Sequence, residues 1–411
     1  MENLPTEIMV MILKLLNFKS QVRFIFATKI NKYLTKYWTI TIMIHVDEKV
    51  LKWPYYDNLI FLQTNELLKV YPKKLQYLIF SRNFNKPINK DSISNTVTHL
   101  IFGEKFNQSV DELPLSIKHI KFGEQFNQSV DKLPSSMENI EFGHRFNRSV
   151  DKLPLSIKNI EFGNDFNQTV DKLPLSTKNI EFGWNFNQSV DNLPSSIKSI
   201  KFGDHFNQSV DNLPSSIENI EFGWNFNKSV DKLPSLIKSI KFGWYFNQSV
   251  DNLPLSIKNI EFGHDFNQSV DNLPLSIKNI EFGDEFNQSV EKLPSTITHL
   301  VLGWKFNQPL KDIPQSVTHL IIFCKKLKGK IPEKVTHLTI HSSQYTEELI
   351  PRSVTHLKII GTNIFNDKIP ETVTHLILDT FDVLDKIKVP ETVTTLIVAG
   401  EIINKREIIN L

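Results

Sequence analysis

One cysteine, Cys324, in 411 residues excludes a fold braced by internal disulfides and suits a reducing compartment. Charge of either sign is not in surplus. The net charge is +2 with 22% charged residues, so the electrostatic footprint of a nucleic-acid binder is missing, as is any like-charge tail. Long hydrophobic runs are lacking too. Ile8–Leu16 is too short to span a bilayer, follows Glu7 and has no basic leader, so neither a membrane partner nor a secretion signal is expected. The expected location is the cytoplasm. The Asn-Gln-Ser triplets at Asn107, Asn127 and Asn187 fit the glycosylation pattern, but without secretion they read as structural. No G-x-S-x-G, H-E-x-x-H, P-loop or C-x-x-C occurs, and no enzyme, cofactor or metal is expected.

What is abundant is repetition. Phe-Gly recurs every 20 residues, ten times from Phe102-Gly103 to Phe282-Gly283, and Leu302-Gly303 keeps the register. Each unit reads I-x-x-I-x-F-G-x-x-F-N-x-x-V-x-x-L-P-x-S, as in Ile117 to Ser136. A period that strict predicts a solenoid in which each unit packs on its neighbours. Four parts follow: residues 1–45 without repeat, a lead-in with capping coils at 46–96, the repeat at 97–400, and a tail at 401–411. About seventeen coils, mostly of 20 residues, are predicted between Leu75 and Leu396, giving a rod on the order of 80 Å at the usual strand spacing.

A glycine and a proline in every unit exclude a long helix, and Ile120-Lys121-Phe122 alternates as a strand does. Ile117, Ile120 and Phe122 should point inward, with positions 119 and 121 outward. Of 14 glycines, 11 stand in the column of Gly123, which predicts either a positive φ or a close approach of backbone. Phe126 should turn the chain back, Val130 and Leu133 fill the return arm, and Pro134 stiffen the last bend. The asparagines Asn107, Asn127, Asn147, Asn167 and Asn187 are candidates for a structural ladder, amide supplying amide and capping loop carbonyls, because a buried amide needs partners. The pattern resembles the leucine-rich repeat L-x-x-L-x-L and, more closely, its Phe- and Asn-rich variant, the FNIP repeat. The resemblance covers about three quarters of the chain. It differs in length, since FNIP units run longer than these, which implies a tight return arm, extended or 3₁₀.

The outward positions 118 and 121 read Lys/Lys, then Glu138/Glu141, Lys158/Glu161, Lys178/Glu181 and onward, and no two doubles of like sign are neighbours. That is a solvated face with register control. Serines such as Ser109 and Ser129 sit in repeat columns, which argues against a catalytic serine, and the aspartates from Asp111 onward read as turn acceptors. His99, His119, His299, His319, His337, His356 and His375 share a column that elsewhere holds Asn139 or Ser199, so it asks for a polar group and not for a metal ligand. The two residues after each glycine vary most. Four of the six tryptophans fall there, Trp184, Trp224, Trp244 and Trp304, with Tyr245 beside Trp244. Exposed aromatics at loop tips are candidates for binding a target protein. The alternative is that each indole lies flat on the next coil's turn.

Residues 4–16 read as an amphipathic helix. Pro5 and Glu7 suit its first turn, and Ile8, Met11, Ile12, Leu15 and Leu16 share one face. Second and third short helices are predicted from Ser20 and from about Lys29. The segment resembles an F-box in Leu4-Pro5, Glu7-Ile8, Ile12-Leu13 and Leu16, and departs near Asn31–Tyr33, where the usual tryptophan is replaced. The resemblance implies docking on the Skp-type adaptor of a cullin–RING ubiquitin ligase, with Leu4, Pro5, Ile8, Ile12 and Leu15 as contacts. A helical cap over the first coil is the alternative. An F-box ahead of FNIP repeats is similar to the F-box/FNIP proteins of amoebal giant viruses and social amoebae. The expected fold is therefore a β-rich, leucine-rich-repeat-like solenoid behind a three-helix segment. Its expected role is that of a non-enzymatic substrate adaptor, the alternative being a structural or adhesion-type repeat protein.

Overall fold

A computed structural model describes residues 57, 59–324, 327–341, 349–361, 368–381 and 387–403. The three helices expected at 1–45, the first part of the lead-in and residues 404–411 lie outside the described residues. The chain forms two compact units, Met1–Gly183 and Trp184–Leu411.

In the first unit the strands are β1 (Phe61–Thr64), β2 (Tyr77–Phe80), β3 (His99–Ile101), β4 (His119–Lys121), β5 (Asn139–Glu141), β6 (Asn159–Glu161) and β7 (Asn179–Glu181). They pair in parallel in chain order, each strand position opposite its equivalent one coil on, as Ile120 opposite Ile140 and Ile160 opposite Ile180. β1 lies ahead of Leu75, where the repeat first becomes legible in the sequence. In the second unit β8 (Ser199–Lys201), β9 (Asn219–Glu221), β10 (Ser239–Lys241), β11 (Asn259–Glu261) and β12 (Asn279–Glu281) continue the same text. Longer strands follow: β13 (His299–Leu302), β14 (His319–Ile322), β15 (His337–His341), β16 (His356–Ile360), β17 (His375–Leu378) and β18 (Thr395–Val398). These too are parallel. Residues 401–403, expected to open a tail, instead form β19 (Glu401–Ile403), antiparallel to β18 through a tight turn at Ala399 (φ 52°) and Gly400 (φ 85°).

Each coil is one short strand and three turns. After the strand, Phe126 N–H donates to the Gly123 carbonyl (3.1 Å), Leu133 N–H to Val130 (3.4 Å) and Met137 N–H to Pro134 (3.0 Å). The return arm is thus turns, with a 3₁₀ helix at Leu310–Asp312. Inward residues sit as the alternation requires. Ile117, Ile120, Phe122, Phe126, Val130 and Leu133 are all buried, while Lys121 is exposed. The phenylalanines form two ladders. Phe242 and Phe246 stack within one coil at 3.9 Å, and Phe246 meets Phe266 of the next at 6.1 Å, within the range where aromatic pairs attract.

The glycine column is explained by crowding and not by a positive φ. Among the described glycines only Gly329, Gly361 and Gly400 have positive φ, and none belongs to the column. A Cβ on Gly243 would lie 1.8 Å from the Gly223 carbonyl oxygen, and one on Gly263 would lie 1.9 Å from that of Gly243. Backbone passes under backbone there, and no side chain fits.

Candidate interaction surfaces

With the interior uniform, differences between coils survive only outside. The outward strand face is built of ladders. In the first unit Glu138 lies 3.2 Å from Lys118 and 2.6 Å from Lys158, and Lys121 pairs with Glu141. In the second, Glu218 lies 3.0 Å from Lys198 and 2.5 Å from Lys238. The lysines on either side hold the carboxyls of Glu138 and Glu218 below the usual carboxylate range. A second charge ladder follows the return arm: Lys132 reaches Asp111 at 3.1 Å and Lys292 reaches Asp271 at 3.0 Å. These aspartates were expected to accept backbone N–H groups at a turn. Instead the carboxylate takes a lysine one coil on, and the Ser109 hydroxyl accepts the Asp111 N–H (3.2 Å).

The histidine column stacks. His299, His319, His337, His356 and His375 lie face to face at 4.1 Å between successive rings. In the first unit Phe61, Tyr77, His99 and His119 do the same at 4.0–4.1 Å. Parallel rings aim their nitrogens side by side and not at a shared point, which is wrong for a tetrahedral metal. Among the described residues no group of three or more His, Cys, Asp or Glu could hold a metal ion. Burial, and then the charge of neighbouring imidazoles, pushes His319, His337 and His356 below the ordinary value, and pushes His99 down to about 4. At Asn139 the first-unit column changes to amides. The Asn179 amide donates to Asn159 Oδ1 at 2.6 Å, and Asn279 to Asn259 likewise at 2.6 Å. The position thus needs a side chain that can stack or bond to its equivalent one coil on, and not merely a polar one.

The asparagine column of Asn107 is a ladder of a different kind from the one expected. Side-chain oxygens receive backbone. Asn107 Oδ1 accepts the Asn127 N–H (2.9 Å) and the Gln128 amide (3.0 Å), and Asn127 and Asn147 take the next coil's N–H at 3.1 and 3.0 Å. Asn187 accepts from the Asn207 N–H at 2.9 Å and from Gln208 at 3.1 Å. Asn167 stands in the same column as the donor to Asn147.

The tip row is exposed. Relative exposures are 60% for Trp184, 58% for Trp224, 44% for Trp244, 49% for Tyr245 and 39% for Trp304. The fold brings Trp224 and Trp244 together, ring centres 6.1 Å apart and tilted by 45°. His264 then lies flat on Trp244 at 4.4 Å. Trp304 packs instead on Phe323 at 6.1 Å and edge-on to His341 at 5.3 Å. The tips are held from below: Tyr245 N–H donates to the Trp224 carbonyl and Asp265 N–H to that of Trp244, both at 2.9 Å. A further exposed row is made of leucines, which periodicity alone does not single out. Leu115, Leu155 and Leu175 in the first unit, and Leu255 and Leu275 in the second, are 71–83% exposed. The signal was the residue after the proline, which is Leu in some units and Ser in others.

The adaptor-contact candidates Leu4, Pro5, Ile8, Ile12 and Leu15 lie outside the described residues. Among the described residues no helix is long and apolar enough to cross a membrane.

Comparison with known proteins agrees with this architecture. The chain is similar to the solved structure of CroV588, described as a novel circular LRR protein, with 31% identity and a TM-score of 0.66 over 83% of this chain. The chain spans 63% of that protein's length. Looser likenesses are to the functional domain of InlJ from Listeria monocytogenes (7% identity, TM-score 0.47, 80% of this chain and 75% of that one) and to YopM from Yersinia enterocolitica WA-314 (15%, 0.39, 83% of each). No curated protein matches the sequence. The FNIP Repeat family matches in consecutive and overlapping segments from residue 65 to residue 325. A segment such as 106–145 spans two coils, which accounts for the longer unit expected of the family. Matched without a break over more than half its length, the chain belongs to the FNIP repeat family.

Proposed function

We propose that this solenoid is a protein-binding scaffold that presents a target to a cullin–RING ubiquitin ligase. The repeat fold is consistent with protein–protein interaction in general. The ligase role rests on the F-box resemblance of residues 1–45, whose Leu4, Pro5, Ile8, Ile12 and Leu15 would dock on the Skp-type adaptor in the cytoplasm. The repeats hold the target and do no chemistry; transfer of ubiquitin belongs to other subunits. The observation that carries target binding is the row of exposed aromatics, Trp224, Trp244 and Tyr245, on backbone already tied coil to coil. Large aromatics on a pre-organised backbone are what dominates interfaces elsewhere.

Co-purification of the full chain from amoebal cells tests the reading. The Skp-type adaptor should be recovered and should be lost on deleting residues 1–40. A bound target should be lost on Trp224→Ala/Trp244→Ala while the adaptor stays. Failure to recover any adaptor removes the ligase role and leaves a structural or adhesion-type repeat protein.

A further inference from the structure

We infer that the tip row of the second unit between Asp204 and Glu285 is a docking strip for a basic protein segment, one that presents arginine or lysine to exposed indoles. The inference rests on the tip row being the target surface and names the chemistry of the target. The two-residue tips of these coils carry four carboxylates, Asp204, Asp265, Asp284 and Glu285, and no lysine or arginine. The corresponding tips of the first unit include Lys105 and Arg145 and no Trp, Tyr or Phe. Aromatic faces and an excess of negative over positive tip residues therefore coincide in one stretch. Glu285 is partly matched by Lys305 at 2.6 Å, so Asp204, Asp265 and Asp284 carry most of the field.

The strip already holds one basic ring in the arrangement proposed for the visitor. His264 lies parallel to the Trp244 indole at 4.4 Å, with its Nδ1 2.6 Å from Asp265 Oδ1 and its Nε2 3.9 Å from Asp284 Oδ2. Trp224, 58% exposed, offers the same kind of indole surface one coil away. A cation within about 6 Å of an indole centre is attracted by the ring, and nearby carboxylates add to that attraction. A neutral sugar is the poorer fit. It stacks on coplanar rings and gains nothing from net negative charge, whereas Trp224 and Trp244 are tilted by 45°. Five tips at the usual strand spacing span on the order of 19 Å, the reach of about six extended residues.

The test uses the full chain and a fluorescein-labelled hexapeptide of alternating arginine and glycine. The comparisons are its glutamate–glycine counterpart and cellohexaose. Fluorescence anisotropy should register the arginine peptide alone, more weakly at high salt. Trp224→Ala/Trp244→Ala should weaken it by at least about tenfold, roughly 1.4 kcal/mol, with an unchanged unfolding midpoint because both side chains are exposed. Asp265→Asn/Asp284→Asn should weaken it and flatten the salt dependence. Absence of binding, equal binding of the glutamate peptide, preference for cellohexaose, or arginine binding indifferent to the tryptophans would each overturn the proposal. If the arginine peptide fails while Trp224→Ala/Trp244→Ala still releases a co-purified target, the basic-segment chemistry falls and the tip row stands as the target surface.

Discussion

Strands β8–β12 and β13–β17 of the second unit share one backbone plan and wear opposite chemistry. Both bury an aliphatic residue at the second strand position, Ile240 and Ile260 in one, Leu320 and Leu338 in the other. Outside, the first set opposes charges: Lys198, Glu218 and Lys238 alternate at 3.0 and 2.5 Å. The second set stacks imidazoles at 4.1 Å. The coils differ in pace as well. Like residues recur every 20 positions in the first set, while His319 pairs with His337 and His337 with His356 in the second. Strands of 3 residues in the first become 4 or 5 in the second. The glycine column ends at Gly303, and the longer strands start with that last coil. Where backbone packs on backbone at the glycine the strand must stop; where side chains return, the ladder runs on.

The comparison can be broken most severely at the glycines. Gly243→Ala forces a Cβ to 1.8 Å from a carbonyl oxygen that cannot swing away, so the coil must part from its neighbour. A loss of about 3 kcal/mol or more is expected in chemical unfolding. Gly329→Ala is the counterpart in the second region. Nothing lies within 4 Å of the added Cβ and only the positive φ (+99°) resists it, so roughly 1–2 kcal/mol is expected. Equal losses would refute the close-packing account of the column.

Asn187→Ala comes next. It leaves the Asn207 N–H and the Gln208 amide without their acceptor, at a cost of roughly 1–3 kcal/mol where water does not replace it. An unchanged melting temperature would remove the asparagine ladder as a source of stability.

Acid should separate the two faces without any substitution. Folding lowers the pKa of His319, His337 and His356 from 6.5, so the unfolded chain holds these protons more tightly. Their contribution is complete above 6.5 and is lost as pH falls below it. Glu218 is also lowered, from 4.5, so the charge ladder keeps its contribution until pH falls below that value. Hydrogen exchange at pH 7.5 and 5.5 should show β14–β16 losing protection while β8–β10 keep it. Protection lost equally in both would contradict the assignment.

The smallest effect belongs to Lys241→Ala. Its partner Glu261 lies 2.5 Å away, but both side chains are about half exposed, at 48% and 40%. A change of roughly 0.2–1 kcal/mol is expected, fading with added salt.

Much of this was legible in the residues. Strand positions, the inward set Ile117, Ile120, Phe122 and Phe126, and the exposure of the tip tryptophans follow from periodicity, because which way a side chain points depends on its own coil. What one coil does to the next was not. The sequence left a positive φ and a close approach equally open for Gly123, assigned Asp111 to a turn and not to Lys132, and marked the exposed Leu155 (83%) only by exchange with Ser in other units.

The sequence by itself determined the repeat, its length and the alternation that makes each unit a strand with a buried side, since these are local consequences of residue order. Only the tertiary structure decided that glycine sits beneath a neighbour's carbonyl, that Asn107 Oδ1 takes the N–H of Asn127, and that Trp224, Trp244 and His264 form one cluster. Those are distances between residues some 20 positions apart, and they are set by how closely one coil settles on the next.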